Sequence, residues 1–395
     1  MNSDFDVVVV GAGPVGSTIA YYLSNHDLDV VLVDKKTQIG YPLQCAGILS
    51  RHIFELNDLP SQIILNEVNG AFIHTQNHIL KVRKDTVQAY IIDRIAYDEF
   101  LLKRAIKNGV KLINQKVVDV DCEKGITYFS NDHITSKIIV GCDGPNSVVS
   151  EKIGNIQSNF QASQMLVEID GENMNSCRNS SENVEEYVDT CLLDEILPGF
   201  LWLIPLKNNL YRVGMFSNQS FKEQNEILNN FLSENFEYEV IEKYKGFIPI
   251  FNNKNMLVRD RLLLIGDAAS QIKPTSGGGL MISFDACEMA CRHIVECLKN
   301  DDENILKGYE KEFRDKYLKE FSYQFKVQKT LNMLSDDDLD HLFSKLKKND
   351  GERLISEYGD MDTQSKLVKE FIKRGLILKI VPTFLLKKVI KIFGF

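Results

Sequence analysis

The sequence predicts an α/β chain, α+β overall. It comprises a Rossmann-like nucleotide-binding domain, an inserted antiparallel sheet and a helical C-terminal region. Three observations carry this. The apolar run FDVVVV at residues 5–10 leads into the glycine loop GAGPVG at Gly11 to Gly16. From Phe160 to Phe251 the pattern changes to shorter, mixed strands. At Arg261 to Asp267 (RLLLIGD) the buried-strand pattern returns.

Residues 5–10 read as a parallel strand because Val7 to Val10 are all apolar and β-branched, as a strand covered on both faces requires. Gly11 to Gly16 is a tight turn, Ser17 to Ser24 the following helix, and Val30 to Asp34 a second strand ending in an acid. Ile95 to Lys107 is helical in pattern, with strands near Lys111 to Val120 and Ile138 to Gly141. A glycine loop and a helix through about Leu298 follow RLLLIGD. The first domain is therefore expected to be discontinuous, over 1–60, 85–159 and 252–300, with the substrate-binding sheet in 61–84 and 160–251 and the helical region in 301–395.

With 395 residues, 44% of them hydrophobic, the chain can bury a large core. A net charge of −9 and a pI of about 5.4 argue against nucleic acid as a partner. No stretch reaches the roughly 18 apolar residues of a membrane span, and no signal peptide is recognisable, so a cytoplasmic location is expected. Eight cysteines without a CxxC pair read as reduced thiols, and seven histidines in no ligand pattern point to no metal.

GAGPVG matches G-x-G-x-x-G in the position its mechanism needs, after a strand and before a helix. Gly11 permits the turn, Gly13 lets backbone approach a pyrophosphate, and Gly16 lets helix and strand pack closely. The helix N-terminus, with the amide of Val15, then faces the phosphates. Asp34 is suited to the adenosine ribose hydroxyls. GCDGPNS at Gly141 to Ser147 resembles the D-G motif of hydroxylase-like flavoproteins, the p-hydroxybenzoate-hydroxylase type, and places Asp143 at the cofactor. LIGDAASQIKP at Leu264 to Pro274 resembles their G-D motif, in which an acid contacts the ribityl chain of FAD; that role falls on Asp267. Taken singly, Asp143 is also a turn former and Asp267 a helix cap. TSGGGL follows at Thr275 to Leu280, where the amides of Gly279 and Leu280 would face the negative charge of reduced flavin. No second G-x-G-x-x-G provides an NAD(P) domain, so the bound cofactor is expected to be FAD.

The chain resembles the geranylgeranyl reductase family, particularly archaeal members that saturate the isoprenoid chains of membrane lipids. The likeness runs through GAGPVG, PLQCAGILS at Pro42 to Ser50, YIIDRIAYDEFL around Arg94, GDAASQIKPTSGGGL, and LSDDDLDHL at Leu334 to Leu342. It implies that Cys45, Ala46 and Ile48 lie close to the flavin, that Arg94 binds the cofactor, with a surface salt bridge as its other reading, and that Val117 is a strand position near the adenine. The family's Y-x-W-x-F-P strand beside the lipid pocket corresponds to Phe200, Trp202, Ile204 and Pro205, followed by Gly214. Alternation on a strand puts Phe200, Trp202 and Ile204 on one face, able to line a slot for an isoprenoid chain. The sequence departs from the pattern with Phe for Tyr, Ile for Phe, and Phe216 for the second Gly of G-x-G. With Ile204 the stretch also resembles the W-x-W-x-I-P of flavin-dependent halogenases, but no lysine motif accompanies it around Lys81 or Lys84. A flavin-binding lipid carrier without turnover is the non-enzymatic reading.

Cys45 is the ionisable side chain of the flavin-adjacent motif, either relaying the proton that alkene reduction needs or packing on the ring. Electrons are expected from ferredoxin or NAD(P)H. The segment from Lys366 to Phe395 carries eight Lys or Arg and one acid, Glu370, among large apolar residues. Such a basic amphipathic stretch lies on the inner face of an anionic membrane or packs back on the protein with its lysines in water.

Overall fold

The structure, a computed structural model, describes residues 3–170, 184–381 and 383–393. The N-terminal unit runs β1 (Phe5–Val10), α1 (Pro14–Ser24), β2 (Val30–Val33), β3 (Ile48–Ser50), α2 (Ile53–Leu56) and β4 (Ile64–Val68). It continues through β5 (Gly70–His74), β6 (Ile79–Arg83), β7 (Ala89–Ile92), α3 (Arg94–Lys107) and β8 (Lys111–Ile113). Next come β9 (Asp119–Asp121), β10 (Ile126–Tyr128), β11 (His133–Gly141) and α4 (Val148–Lys152). The larger sheet region holds β12 (Asn159–Ile169), β13 (Tyr187–Cys191), β14 (Leu201–Lys207), β15 (Leu210–Ser217), α5 (Phe221–Asn235) and β16 (Tyr238–Pro249). The chain then returns with β17 (Val258–Arg259), β18 (Leu262–Leu264) and α6 (Leu280–Asn300). It closes with α7 (Leu306–Leu331), α8 (Asp336–Lys348), α9 (Gly351–Tyr358), α10 (Ser365–Lys373), α11 (Leu376–Ile380) and α12 (Thr383–Phe393).

The first sheet runs β17-β18-β11-β1-β2-β8, parallel except for β17, with β10 appended antiparallel to β11 and β9 antiparallel to β10. β1 is buried along Val7 to Val10, as an inner strand covered by helices on both faces demands. α1, α6 and α7 pack on this sheet through one core that includes Ile19, Leu23, Ala290, Ile294 and Tyr309. α3 starts where its sequence directs, because the Asp93 carboxylate accepts hydrogen bonds from the amides of Ile95 and Ala96, both at 3.0 Å.

The second sheet has the order β16-β12-β15-β14-β13-β5-β6, antiparallel except between β13 and β5. It differs from the sequence expectation in strand length. β12 and β16 run 11 and 12 residues, and the helix α5 packs on the outer face over Leu201, Leu203 and Val213. Glu239, Glu242, Lys243 and Lys245 interrupt β16 and hide its length from a search for apolar runs. β7 pairs with β3 on one side and β4 on the other in a separate three-stranded sheet. The stretch 171–183 of the expected sheet region lies outside the described residues.

The C-terminal helices are tied to the edge of the second sheet by the acids of LSDDDLDHL. Ser335 forms a capping box with Asp338 at the start of α8. One turn on, Asp340 accepts from the Asn77 amide at 3.0 Å and from the Thr75 hydroxyl, while Asp336 accepts from the Asp194 amide at 2.9 Å. Burial alone would raise the Asp340 carboxyl, but the hydrogen bonds from Thr75 and Asn77 outweigh it and hold the group below its ordinary value.

Candidate functional site

A single cavity of about 1230 Å³ runs from the C-terminal edge of the first sheet, across the loop at Cys45, to the inner face of the second sheet. Its nucleotide end is built by the turn between β1 and α1. Gly11 has φ +101°, and a Cβ there would stand 2.4 Å from the Cys142 carbonyl oxygen; at Gly16 it would stand 1.8 Å from the Gly11 oxygen. Only glycine allows that approach of helix and strand. Gly13 has no atom within 4 Å of its Cβ position, leaving its backbone open to the cavity. α1 carries no side-chain cap, so the first-turn amides, Val15 included, remain available at its positive end.

Asp34 follows β2 and braces the turn, with Oδ2 accepting from the Ala12 amide and Oδ1 from the Lys36 amide, both at 2.8 Å. Each oxygen keeps a lone pair for a hydroxyl. Asp143 is committed locally: Oδ2 accepts from the Val148 amide at 2.8 Å and Oδ1 from the Ser147 hydroxyl, so the carboxyl caps α4 while lining the cavity. Burial raises its pKa against those bonds. Val117 lines the cavity as well, but from the irregular stretch between β8 and β9 and not from a strand.

The other end of this site is formed by the loop between β18 and α6. Asp267 sits in a short 3-10 turn, and its carboxylate has no hydrogen-bond partner among the described residues. It is partly open to the cavity yet enclosed by protein, and burial pushes its pKa up to about 6 against the pull of Arg94. Ser276 adds a buried hydroxyl with no partner among the described residues, and α6 begins at Leu280 from an uncapped Gly279. An unpaired carboxylate, an orphaned hydroxyl and two uncapped helix ends on one cavity fit a ligand with hydroxyls and anionic oxygens.

Arg94 is neither on the surface nor free. Its Nε and Nη2 each donate to Asp98 at 3.0 Å within the protein, and its charge also acts on Cys45 and Asp267. Burial opposes its charge, but Asp98 and Cys45 more than compensate and raise its pKa. Cys45 is half-buried, with Sγ accepting from the Gly47 amide at 3.4 Å; Ala46 and Ile48 line the cavity beside it.

Two residues that the sequence did not single out hold this loop. Arg212 on β15 is buried and donates through Nη1 to the Ala46 carbonyl at 2.9 Å and the Ile92 carbonyl at 3.0 Å. Burial lowers its pKa, with Cys45 and Asp93 pulling the other way. Gln164 on β12 donates to the Cys45 carbonyl at 3.4 Å and accepts from Trp202 Nε1 at 3.1 Å. The available signal was an Arg within the largely apolar β15; Gln164 stands among other polar residues of β12 and gave none.

Phe200, Trp202 and Ile204 share the inner face of the second sheet and line the cavity. Trp202 lies against Gly214, where a Cβ would come within 2.6 Å of the indole Cζ2. Phe216 packs edge-on to Phe200 with ring centroids 5.1 Å apart, and so adds to the aromatic wall. Lys81 lies over the Tyr187 ring, and Lys84 donates to the Gly359 carbonyl at 2.7 Å. Opposite this wall, Phe343, Phe371, Ile377, Ile380 and Val389 of the C-terminal helices close the slot. The apolar side of the basic segment therefore faces the protein, and Lys387, Lys388 and Lys391 are exposed. Among the described residues no helix is long and apolar enough to cross a membrane, and no cluster of His, Cys, Asp and Glu could hold a metal.

Residues 123–318 match a family described as FAD binding domain, and residues 6–63 one described as FAD dependent oxidoreductase. An uncharacterised protein of Methanocaldococcus jannaschii is 31% identical over 388 residues, covering 94% of this chain and 95% of that protein. A digeranylgeranylglycerophospholipid reductase of Methanococcus vannielii is 28% identical, covering 88% and 92%. A geranylgeranyl bacteriochlorophyll reductase-like protein of Thermoplasma acidophilum superposes with a TM-score of 0.82 at 22% identity, covering 98% of each chain. The matches run across both sheets and the C-terminal helices. The chain belongs to the geranylgeranyl reductase family of FAD-dependent oxidoreductases.

Proposed function

We propose that the protein saturates C=C bonds in the geranylgeranyl chains of membrane lipids or their precursors, in archaeal-type phospholipid biosynthesis. The observation that carries this is the continuity of the cavity. The Cys45 loop and the Gly277–Gly279 loop open directly onto an apolar slot walled by Phe200, Trp202 and Ile204. A planar polar substrate would leave that wall without a partner, whereas a prenyl chain covers it. Incubation with a reductant and a geranylgeranyl lipid should raise the mass of the lipid by two hydrogens per bond reduced. An unchanged lipid mass would sink the proposal.

FAD, bound and reduced, supplies the hydride. An isolated trisubstituted alkene has no carbonyl to polarise it, so the protein must hold the alkene carbon within about 3–3.5 Å of the hydride donor and keep water out. The aromatic wall and the helical cover do both. Gly11, Gly13, Val15, Gly16 and Asp34 hold the nucleotide, and Asp267, Gly279 and Leu280 the ribityl and ring end, with Asp143, Arg94 and Val117 supporting the walls. The proton comes from Cys45 Sγ, whose loop is fixed by Arg212 and Gln164. The Arg94 and Arg212 guanidiniums flank the position where negative charge is left behind. Cys45→Ala should slow lipid-driven reoxidation of the flavin at least tenfold, and more than Cys45→Ser does, given the ~10²–10⁴-fold usual for a positioned acid. Wild-type rates in both variants would leave the sulfur as packing.

Electrons enter from ferredoxin or NAD(P)H, bound outside the fold. The exposed Lys387, Lys388 and Lys391 face the headgroups of an anionic inner membrane leaflet, while the apolar side of the same helices covers the slot. Replacing all three by Gln should lower sedimentation with anionic vesicles by one to two orders of magnitude, at ~1 kcal/mol per charge. Undiminished sedimentation, with the protein folded and yellow, would refute the membrane contact.

A further inference from the structure

Cations line the cavity or stand directly behind its wall, and those about the Cys45 and Gly277–Gly279 loops are committed. Lys273 pairs with Asp362 at 2.9 Å and the Met361 carbonyl at 2.7 Å. Arg94 is held by Asp98, and Arg212 by two carbonyls beneath the Cys45 loop. Lys84 differs. Its ammonium donates to the Gly359 carbonyl at 2.7 Å, and among the described residues it makes no ion pair. An ammonium has three donors, so two remain.

Lys84 stands where the apolar wall ends. On β6, Leu80 and Val82 line the slot, and strand alternation carries Lys84 onto the same face one step beyond them. Asn69, Gln88 and Ser356 line the cavity around it, which makes this a polar rim on an otherwise greasy channel. β6 is an edge strand, five interstrand steps from β12, whose Gln164 touches the Cys45 loop; at ~4.8 Å a step this is roughly 24 Å. A prenyl chain laid across the sheet from the Cys45 loop would thus bring its polar end to the β6 edge. The chain itself offers nothing to an ammonium.

Resting on the reductase reading, we infer that Lys84 binds the anionic phosphate of the substrate's headgroup and selects phosphorylated prenyl lipids over neutral ones. The shared chemistry is a phosphate oxygen accepting from Nζ, a charge-assisted contact in partly desolvated surroundings. Two sources carry it, the phosphate of a glycerol-linked lipid and the diphosphate of a prenyl precursor.

The test is titration calorimetry of the FAD-loaded protein with four detergent-solubilised probes: digeranylgeranylglyceryl phosphate, geranylgeranyl diphosphate, digeranylgeranylglycerol and geranylgeraniol. Lys84→Met should weaken binding of the phosphorylated probes roughly tenfold and leave the neutral ones unchanged, with full flavin content. Lys84→Glu should bind neutral probes in preference to anionic ones. Whichever phosphorylated probe loses more identifies the source. Equal losses for charged and neutral probes, or no loss for the charged ones, would overturn the assignment. Because binding is read without turnover, charge-selective binding with no alkene reduction would sink the reductase reading and leave Lys84's role standing. Reduction without charge selectivity would do the reverse.

Discussion

Asp267→Asn should yield a protein that is more stable without its cofactor and holds that cofactor less well. The carboxylate has no partner among the described residues, and burial pushes its pKa up to about 6 from 3.8. The sign follows from linkage. A folded value above the unfolded one means that the contribution of this group to stability is fully present below pH ~4 and lost as pH rises through about 6. At pH 7 the ionised group is therefore a cost, on the order of 1–3 kcal/mol, which asparagine removes. Bound FAD would reverse the balance, since on the proposed reading its ribityl hydroxyls would donate to the carboxylate and satisfy it. Losing that charge-assisted contact should weaken FAD binding by about 10–100-fold. The affinity of the wild type should fall as pH drops through about 6, and that of the variant should not. Flavin absorbance after dialysis and calorimetric melting of the apoprotein check both halves. Full occupancy together with unchanged melting would remove Asp267 from the cofactor site.

Trp202→Ala should damage lipid binding and spare the flavin. The indole supplies much of the aromatic wall, and its Nε1 fixes Gln164, which in turn holds the Cys45 carbonyl. Truncation removes on the order of 100 Å² of apolar contact with a chain lying across it, at about 25 cal/mol per Å². It also frees the Gln164 carbonyl oxygen in an apolar surround, which costs the folded protein ~1 kcal/mol or more whether or not lipid is bound. The half-saturating lipid concentration should rise by about 10–100-fold with the flavin spectrum unchanged. Trp202→Phe, which keeps an aromatic face and loses the N–H, should fall between. A Trp202→Ala protein that loses flavin and fold together would make the indole a core residue.

The glycine turn, the G-D loop and the Trp202 strand were legible in the sequence because each is a local solution. Gly11 and Gly16 are dictated by backbone contacts a few ångströms away, and the aromatic alternation of β14 needs no knowledge of its partners. The bracing of the Cys45 loop was not legible, since Arg212 and Gln164 arrive from strands more than a hundred residues away. Arg94 shows the same limit. Its i,i+4 spacing to Asp98 was visible, but its burial beneath Cys45 comes from the three-dimensional arrangement. α5 and the full length of β16 were missed because their polar faces break the apolar pattern that a strand or core helix is expected to show. The basic C-terminal segment offered two readings from one composition. Packing decides where its apolar side goes: Ile377, Ile380 and Val389 line the slot.

The most direct test of lipid reduction at this cavity is anaerobic. The FAD-loaded protein is bleached with a stoichiometric reductant, and a geranylgeranyl lipid is then added in the absence of oxygen. The yellow oxidised spectrum should return, one flavin for each bond saturated, with no response to a fully saturated phytanyl lipid. A flavin that stays bleached while the lipid binds would identify a carrier, and reoxidation that required oxygen and halide would identify a halogenase; either result would contradict lipid reduction at this cavity.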